Sequence, residues 1–327
     1  MALDSTAVTS SSSEKIAFIF PGQGAQKVGM GRDFYEHSAT AKRLFDEADE
    51  ALGYSIKKMC LEGPAEALRL TANTQPAILT MSVIAYALLK EKGIVPAIAA
   101  GHSLGEYSAL VAAGALDFQD AVHLVHQRGA FMQEAVPDGE GAMAAIIGLA
   151  REDIINLCQE AAEASQAVVQ AVNFNCPGQI VIAGHTQGVE KAVALMKEAG
   201  AKKCVLLPVS APFHSTLMRP AAEKLAVELN KVQIHDANIP VVANVSGDIV
   251  EKAEDIKQSL IKQAASPVKW EDCVARMKAF GAHVFVEAGP GRTLCGFNKR
   301  IDRTLTSLNV EDEISLQKTL DYFQEVR

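Results

Sequence analysis

From Lys15 onward the chain alternates short continuous apolar runs with stretches whose apolar residues fall three and four apart. Ile16–Phe20 is a continuous run closed by Pro21-Gly22, the pattern of a strand buried on both faces. Ala97–Ala100 is a second such run and leads into Gly101-His102-Ser103-Leu104-Gly105. Helical spacing covers Arg32–Leu52, Pro64–Leu70, Gln75–Lys92, Glu106–Ala113 and Asp117–Ala135, the last with Asp117 as its N-cap.

Residues 138–208 follow a different order. Ala142–Leu149 predicts a strand, Arg151–Ala164 a helix, and Ala167–Phe174 and Gln179–Ala183 two strands around a Cys176-Pro177-Gly178 turn. Gly188–Ala199 predicts a helix and Cys204–Val209 a buried strand. This βαββαβ sequence is that of a ferredoxin-like unit, expected as a subdomain inserted at 138–208. Residues 15–137 and 209–319 alternate α and β, with further strands near Val241–Asn244 and His283–Glu287 and a helix near Pro220–Asn230. They predict one α/β core around a parallel sheet. Residues 1–14, rich in Ser, Thr and Ala, read as a disordered tail, without the basic start and apolar core of a secretory signal.

Composition narrows the function classes. Of 327 residues, 49% are apolar and 21% charged, as in an ordinary globular chain. The net charge of −8 argues against nucleic acid as the main partner. The purest apolar runs, Ala109–Leu116 and Ala142–Ala150, fall well short of the ~18 residues of a membrane span, so no membrane role is expected. None of the six cysteines forms a C-x-x-C pair, which disfavours a zinc knuckle or redox motif and suits reduced cysteines in the cytoplasm.

Gly101–Gly105 matches G-x-S-x-G between an apolar strand and a small-residue helix, the setting that exposes a serine nucleophile at a sheet's carboxyl edge. Ser103 is the candidate nucleophile and requires a base. His102 adjoins it but points elsewhere along the elbow, which suits packing or hydrogen bonding. His123 and His126 lie three apart on one helix, with no third metal ligand in view, so no metal site is expected. His214, in the constrained turn Ser210–Ser215, is the candidate base. Asp117, Asp120, Asp138 and Asp153 fall at helix starts or in loops, so a Ser–His dyad is expected in place of a triad. The N–H of Leu104 and that of Gln23, between Gly22 and Gly24, are candidate oxyanion donors. The Gly22 loop is no dinucleotide fingerprint, because Lys27 stands where a third glycine is needed. Arg128 falls on the apolar stripe of its helix and requires an anion: a structural carboxylate, or an acyl group with its own carboxylate, such as malonyl.

With those residues placed, the chain resembles the discrete malonyl-CoA:acyl-carrier-protein transacylases of bacterial-type fatty acid synthesis. The resemblance runs in order through Ile19–Gln26, Gly101–Leu110, Arg128, Val172–Gly184, Ala211–His214, Asn244–Gly247, Gln263, Ser266–Trp270 and Glu287–Gly291. It implies an α/β-hydrolase-like core with a ferredoxin-like insertion. It implies Ser103 as nucleophile, His214 as base oriented by the backbone carbonyl of Gln263, and Arg128 on the malonyl carboxylate. Gln23 and Leu104 would donate to the oxyanion, with His102 as motif support. The implied partners are malonyl-CoA and an acyl carrier protein, with no cofactor and a monomeric enzyme. Lys202, Lys203, Lys299 and Arg300, with Arg303, are candidate carrier-docking residues, though they also read as ordinary solvated side chains. A trans-acting polyketide acyltransferase, a serine thioesterase and a non-catalytic carrier-binding module are the competing expectations.

Overall fold

The computed structural model describes residues 15–209 and 211–326, so the expectation for residues 1–14 lies outside them. The strands are β1 (Lys15–Phe20), β2 (Ile98–Gly101), β3 (Gly141–Ile147), β4 (Val169–Cys176) and β5 (Gln179–His185). They continue with β6 (Lys203–Leu206), β7 (Val241–Val242), β8 (Ile249–Val250), β9 (Ala282–Ala288) and β10 (Thr306–Val310). They form two sheets. The larger has the order β10-β9-β1-β2-β7-β8 and is parallel except for β8. Helices cover both of its faces, so β2 is buried throughout and β1 along its last four residues. The smaller sheet is antiparallel with the order β4-β5-β3-β6, the strand arrangement of a ferredoxin-like unit. Its own apolar cluster lies under the helices Arg151–Ser165 and Thr186–Glu198.

Several predicted elements change in detail. The stretch Arg32–Leu52 is two helices, Arg32–His37 and Ala39–Leu52. Ser38 is extended between them, and its Oγ accepts the N–H of Ala41 as an N-cap. The helix expected from Gln75 begins at Thr71 and runs to Glu91 with Pro76 inside it. Pro76 has no N–H for the carbonyl of Ala72, and the Nδ1 of His126 occupies that carbonyl at 2.9 Å. This 21-residue helix is long and apolar enough to span a membrane, although Thr, Ser and Gln break it into short apolar runs. It is a core helix here, with 78% of its most apolar window buried. The strand expected to be buried at Cys204–Val209 is the edge strand β6, with Val205 and Leu206 47% and 61% exposed. Unpredicted elements include the helices Ala253–Gln263 and Trp270–Ala279 and the strand β10.

The register of β1 against β2 sets up the site. Phe20 pairs with Gly101, so both strands end at one level of the sheet. The loop after β1 and the elbow after β2 therefore leave side by side, tied by the His102 N–H on the Phe20 carbonyl at 2.9 Å. At this edge a parallel sheet with crossing helices opens a crevice.

Candidate active site

The elbow needs its glycines for space. A Cβ on Gly101 would lie 1.9 Å from the carbonyl carbon of Gly105, and one on Gly105 would lie 2.1 Å from the Phe20 oxygen. A Cβ on Gly22 would lie 2.4 Å from the His102 oxygen, so the neighbouring loop could not approach either. The turn places Ser103 at φ +53°, in the left-handed region that non-glycine residues rarely occupy. Asn244, two residues beyond β7, holds it there. Its Oδ1 accepts the Ser103 N–H at 2.7 Å, and its Nδ2 donates to the Gly101 oxygen at 2.7 Å.

His214 comes from the far side of the crevice, also at positive φ, +64°. Its Nε2 is 2.7 Å from the Ser103 Oγ. Its Nδ1 is 3.0 Å from the Gln263 oxygen and 3.1 Å from the Ser266 oxygen. Both carbonyls only accept, so Nδ1 carries the proton and Nε2 offers its lone pair to the serine hydroxyl. Burial lowers the imidazole pKa to about 3, reinforced by the Arg128 charge and partly opposed by the two carbonyls. His214 is therefore neutral at physiological pH.

Arg128 is 1% exposed, as its place on the apolar stripe predicts. Gly129 makes this possible. A Cβ there would lie 2.5 Å from the Thr71 oxygen, so only glycine lets the helix Phe118–Glu134 cross so close to the start of Thr71–Glu91. The Arg128 guanidinium donates to Gln75 Oε1 at 2.8 Å, Gln263 Oε1 at 3.0 Å and Ser103 Oγ at 3.1 Å. Its Nε has no partner among the described residues. All three acceptors are neutral, so the structural carboxylate that usually explains a buried arginine does not occupy the fork.

These groups face a cavity of about 550 Å³, which Gln23, Leu104, Met132, Met143 and Phe213 also line. The N–H groups of Gln23 and Leu104 donate to no backbone acceptor among the described residues. His102 turns away toward the smaller sheet, its Nε2 2.9 Å from Asn175 Oδ1 and its ring against Trp270. None of Lys202, Lys203, Lys299 or Arg300 lines the cavity. Arg300 bonds Gln179 and the Pro177 carbonyl, joining the two sheets' layers, while the exposed Arg69 lies at the cavity rim.

The acyl transferase domain family matches residues 17–318. The chain is 51% identical to a malonyl CoA-acyl carrier protein transacylase of Bacillus subtilis (strain 168) over 311 residues, 95% of this chain and 98% of that one. It belongs to the malonyl CoA-acyl carrier protein transacylase family. The fold agrees. An acyl carrier protein S-malonyltransferase from Vibrio cholerae superposes with a TM-score of 0.90 at 48% identity, covering 93% of this chain and 99% of that one. A malonyl-transacylase in complex with a type II PKS acyl-carrier protein superposes at 0.91 with 45% identity, covering 94% and 99%. The α/β-hydrolase-like core with a ferredoxin-like unit is thus the transacylase fold, and the chain is an acyltransferase.

Sequence reasoning missed five participants in this transacylase's crevice: Gln75, Glu106, Asn244, the Gln263 side chain and the Ser266 carbonyl. Glu106 carried a usable signal, a lone carboxylate in the otherwise small and apolar helix Gly105–Ala112. Gln75, Gln263 and Ser266 carried none, because each acts through contacts more than 50 residues away.

Proposed function

We propose that the chain moves the malonyl group of malonyl-CoA onto the phosphopantetheine thiol of an acyl carrier protein, for fatty acid synthesis, through a malonyl ester on Ser103. The observation that carries this reading is the buried Arg128. Its fork has only neutral partners and reaches the same hydroxyl that bonds His214. A carboxylate-bearing acyl group on Ser103 supplies the missing anion; an acetyl group does not.

The Ser103 oxygen attacks the thioester carbon while its proton passes to His214 Nε2. The oxygen of the tetrahedral intermediate takes the N–H groups of Gln23 and Leu104. The C–S bond then breaks, and the departing CoA sulfur takes the proton from His214. The carrier thiol reverses these steps: it gives its proton to His214, attacks the ester and releases Ser103 with the proton returned. Arg128 holds the malonyl carboxylate through both halves. His102 supports the elbow, and the Gln263 carbonyl keeps the His214 tautomer. A thioesterase would call for a carboxylate behind His214, where two carbonyls stand instead.

The residues over 138–208 form the inserted subdomain of this reading, and 15–137 with 209–319 the core. The chain works as a cytoplasmic monomer without a cofactor; its six cysteines are all free, as a reducing compartment keeps them. Among the described residues, no three His, Cys, Asp or Glu side chains gather as a metal site would need. Carrier docking falls to Lys202, Lys203 and Lys299, with Arg300.

Intact-mass analysis after mixing with malonyl-CoA or acetyl-CoA tests the proposal. The expected result is one malonyl adduct on the native chain, none on Ser103→Ala, and little acetyl adduct on either. Equal malonyl and acetyl labelling would remove the role given to Arg128. CoA release without an adduct would favour the thioesterase.

A further inference from the structure

The side chain of Gln263 lies between two opposite charges. Its Oε1 accepts from Arg128 Nη2 at 3.0 Å, while its Nε2 donates to Glu106 Oε2 at 2.8 Å and to the Ser103 main-chain oxygen at 2.9 Å. The same Glu106 oxygen accepts the Asn244 N–H at 2.9 Å, and Asn244 in turn holds the Ser103 N–H. Glu106, Arg128, Asn244 and Gln263 are all buried. The N–H and the C=O of the strained Ser103 are thus gripped by the side chains of two residues anchored to one carboxylate oxygen, Gln263 by that same side-chain amide and Asn244 by its main-chain N–H.

An amide has two chemically different ends, and nothing in its shape decides which faces which neighbour. Here the neighbours decide. A carboxylate oxygen only accepts and a guanidinium only donates, so Nε2 faces Glu106 and Oε1 faces Arg128. The reverse orientation would set N–H against N–H at Arg128 and oxygen against oxygen at Glu106, and would release the Ser103 carbonyl. The same spacing keeps the charges balanced without direct contact. A Glu106 paired straight onto Arg128 would neutralise the fork; a neutral amide between them leaves its positive charge for a second carboxylate.

We infer that Glu106 is a positioning residue for acyl transfer: it fixes the orientation of the Gln263 side chain and, through Gln263 and Asn244, the conformation of Ser103, while leaving the Arg128 fork to the substrate. This rests on the proposal that Ser103 is the nucleophile. The consequence is a split between rate and binding. Loss of Glu106 loosens the serine but leaves the fork in place, with less negative charge near it.

Single-turnover acylation by malonyl-CoA at pH 8, quenched and read by intact mass, tests this. If the native chain forms no adduct on Ser103, the nucleophile assignment fails and the inference goes with it. Given that adduct, Glu106→Gln is expected to acylate at least about tenfold more slowly at saturation, with a half-saturating malonyl-CoA concentration no higher than native. Gln263→Met removes the amide yet keeps the main-chain oxygen behind His214, and is expected to behave likewise. The double variant should lose clearly less than the product of the two single losses, because one of the two routes from Glu106 to Ser103 runs through Gln263. Unchanged rates overturn the inference. So does a half-saturation that rises in step with the rate loss, or a double variant whose loss is the product of the two. Should Glu106→Gln not fold, Gln263→Met carries the test alone by the same split: a slower rate at unraised half-saturation supports it, and a native rate overturns it.

Discussion

Arg128 and Ser103 share a hydrogen bond, Nη2 to Oγ at 3.1 Å, so the buried cation and the hydroxyl that faces His214 form one unit. Replacing Arg128 by Ala is expected to lower kcat/KM for malonyl-CoA by about 2–4 kcal/mol of transition-state stabilisation, or 30-fold to 1000-fold. Acetyl transfer should fall far less, because its acyl group has no carboxylate to lose. Steady-state assays with both thioesters measure the difference. A parallel loss on both substrates would show that Arg128 acts on the serine and not on the acyl group.

The pH profile follows from the neutral His214. Its pKa is lowered from the ordinary 6.5 to about 3, chiefly by burial and next by Arg128. The acid limb that His214 itself contributes to kcat/KM for malonylation is therefore expected well below pH 6.5, and any limb near 7 belongs to Glu106 and should vanish in Glu106→Gln. Removing the Arg128 charge should move the His214 limb upward, toward 6.5. An acid limb at 6.5 or above that persists in Glu106→Gln would contradict the burial of His214 seen here.

Glu106 behaves in the opposite sense. Burial raises its carboxyl pKa from 4.5 to about 7, against the pull of the Asn244 N–H, Gln263 and Arg128. The folded state then holds a proton that the unfolded state has released, so this residue's contribution to stability is full below pH 4.5 and declines as pH rises toward 7. Measured against Glu106→Gln, which cannot titrate, native stability should fall by at most about 1.4 kcal/mol per pH unit across that window. Denaturant unfolding at several pH values tests this, and a pH-independent difference would exclude it. The carboxylate that frames Ser103 is thus held at a cost in stability.

Gly129→Ala should damage the site without touching the cavity. The new methyl would meet the Thr71 oxygen at 2.5 Å and push apart the helices that carry Arg128 and Gln75. We expect a loss of about 1–3 kcal/mol in stability and a higher half-saturation for malonyl-CoA. A variant with native binding would show that the crossing can relax without moving the fork.

Carrier docking is separable from the first half-reaction. Charge reversal at Lys202, Lys203 and Lys299 should slow transfer to the carrier protein and leave Ser103 malonylation by malonyl-CoA unchanged. The effect should shrink as salt rises. Carrier turnover that is unaffected would return these lysines to the solvated surface. Arg300 is a poorer probe, since it also bonds Gln179 and Pro177.

The local sequence determined what depends on neighbours in the chain. The run Ile16–Phe20, the glycines of Gly101–Gly105 and the Asp117 cap each act within a few residues, and their patterns were readable. Arg128 could be placed facing inward from helical periodicity alone, and the ferredoxin-like unit from the order of its strands. The tertiary structure decided what the buried polar groups meet. A lone Gln75 or Gln263 has the same sequence signature whether it faces solvent or a guanidinium. The edge position of β6 likewise followed from which strand it paired with, not from its apolar residues. The carbonyls behind His214 lie 49 and 52 residues along the chain and use backbone atoms that every residue possesses, so no residue type could announce them. Periodicity reports which side of an element is dry; only packing fixes which donor meets which acceptor there.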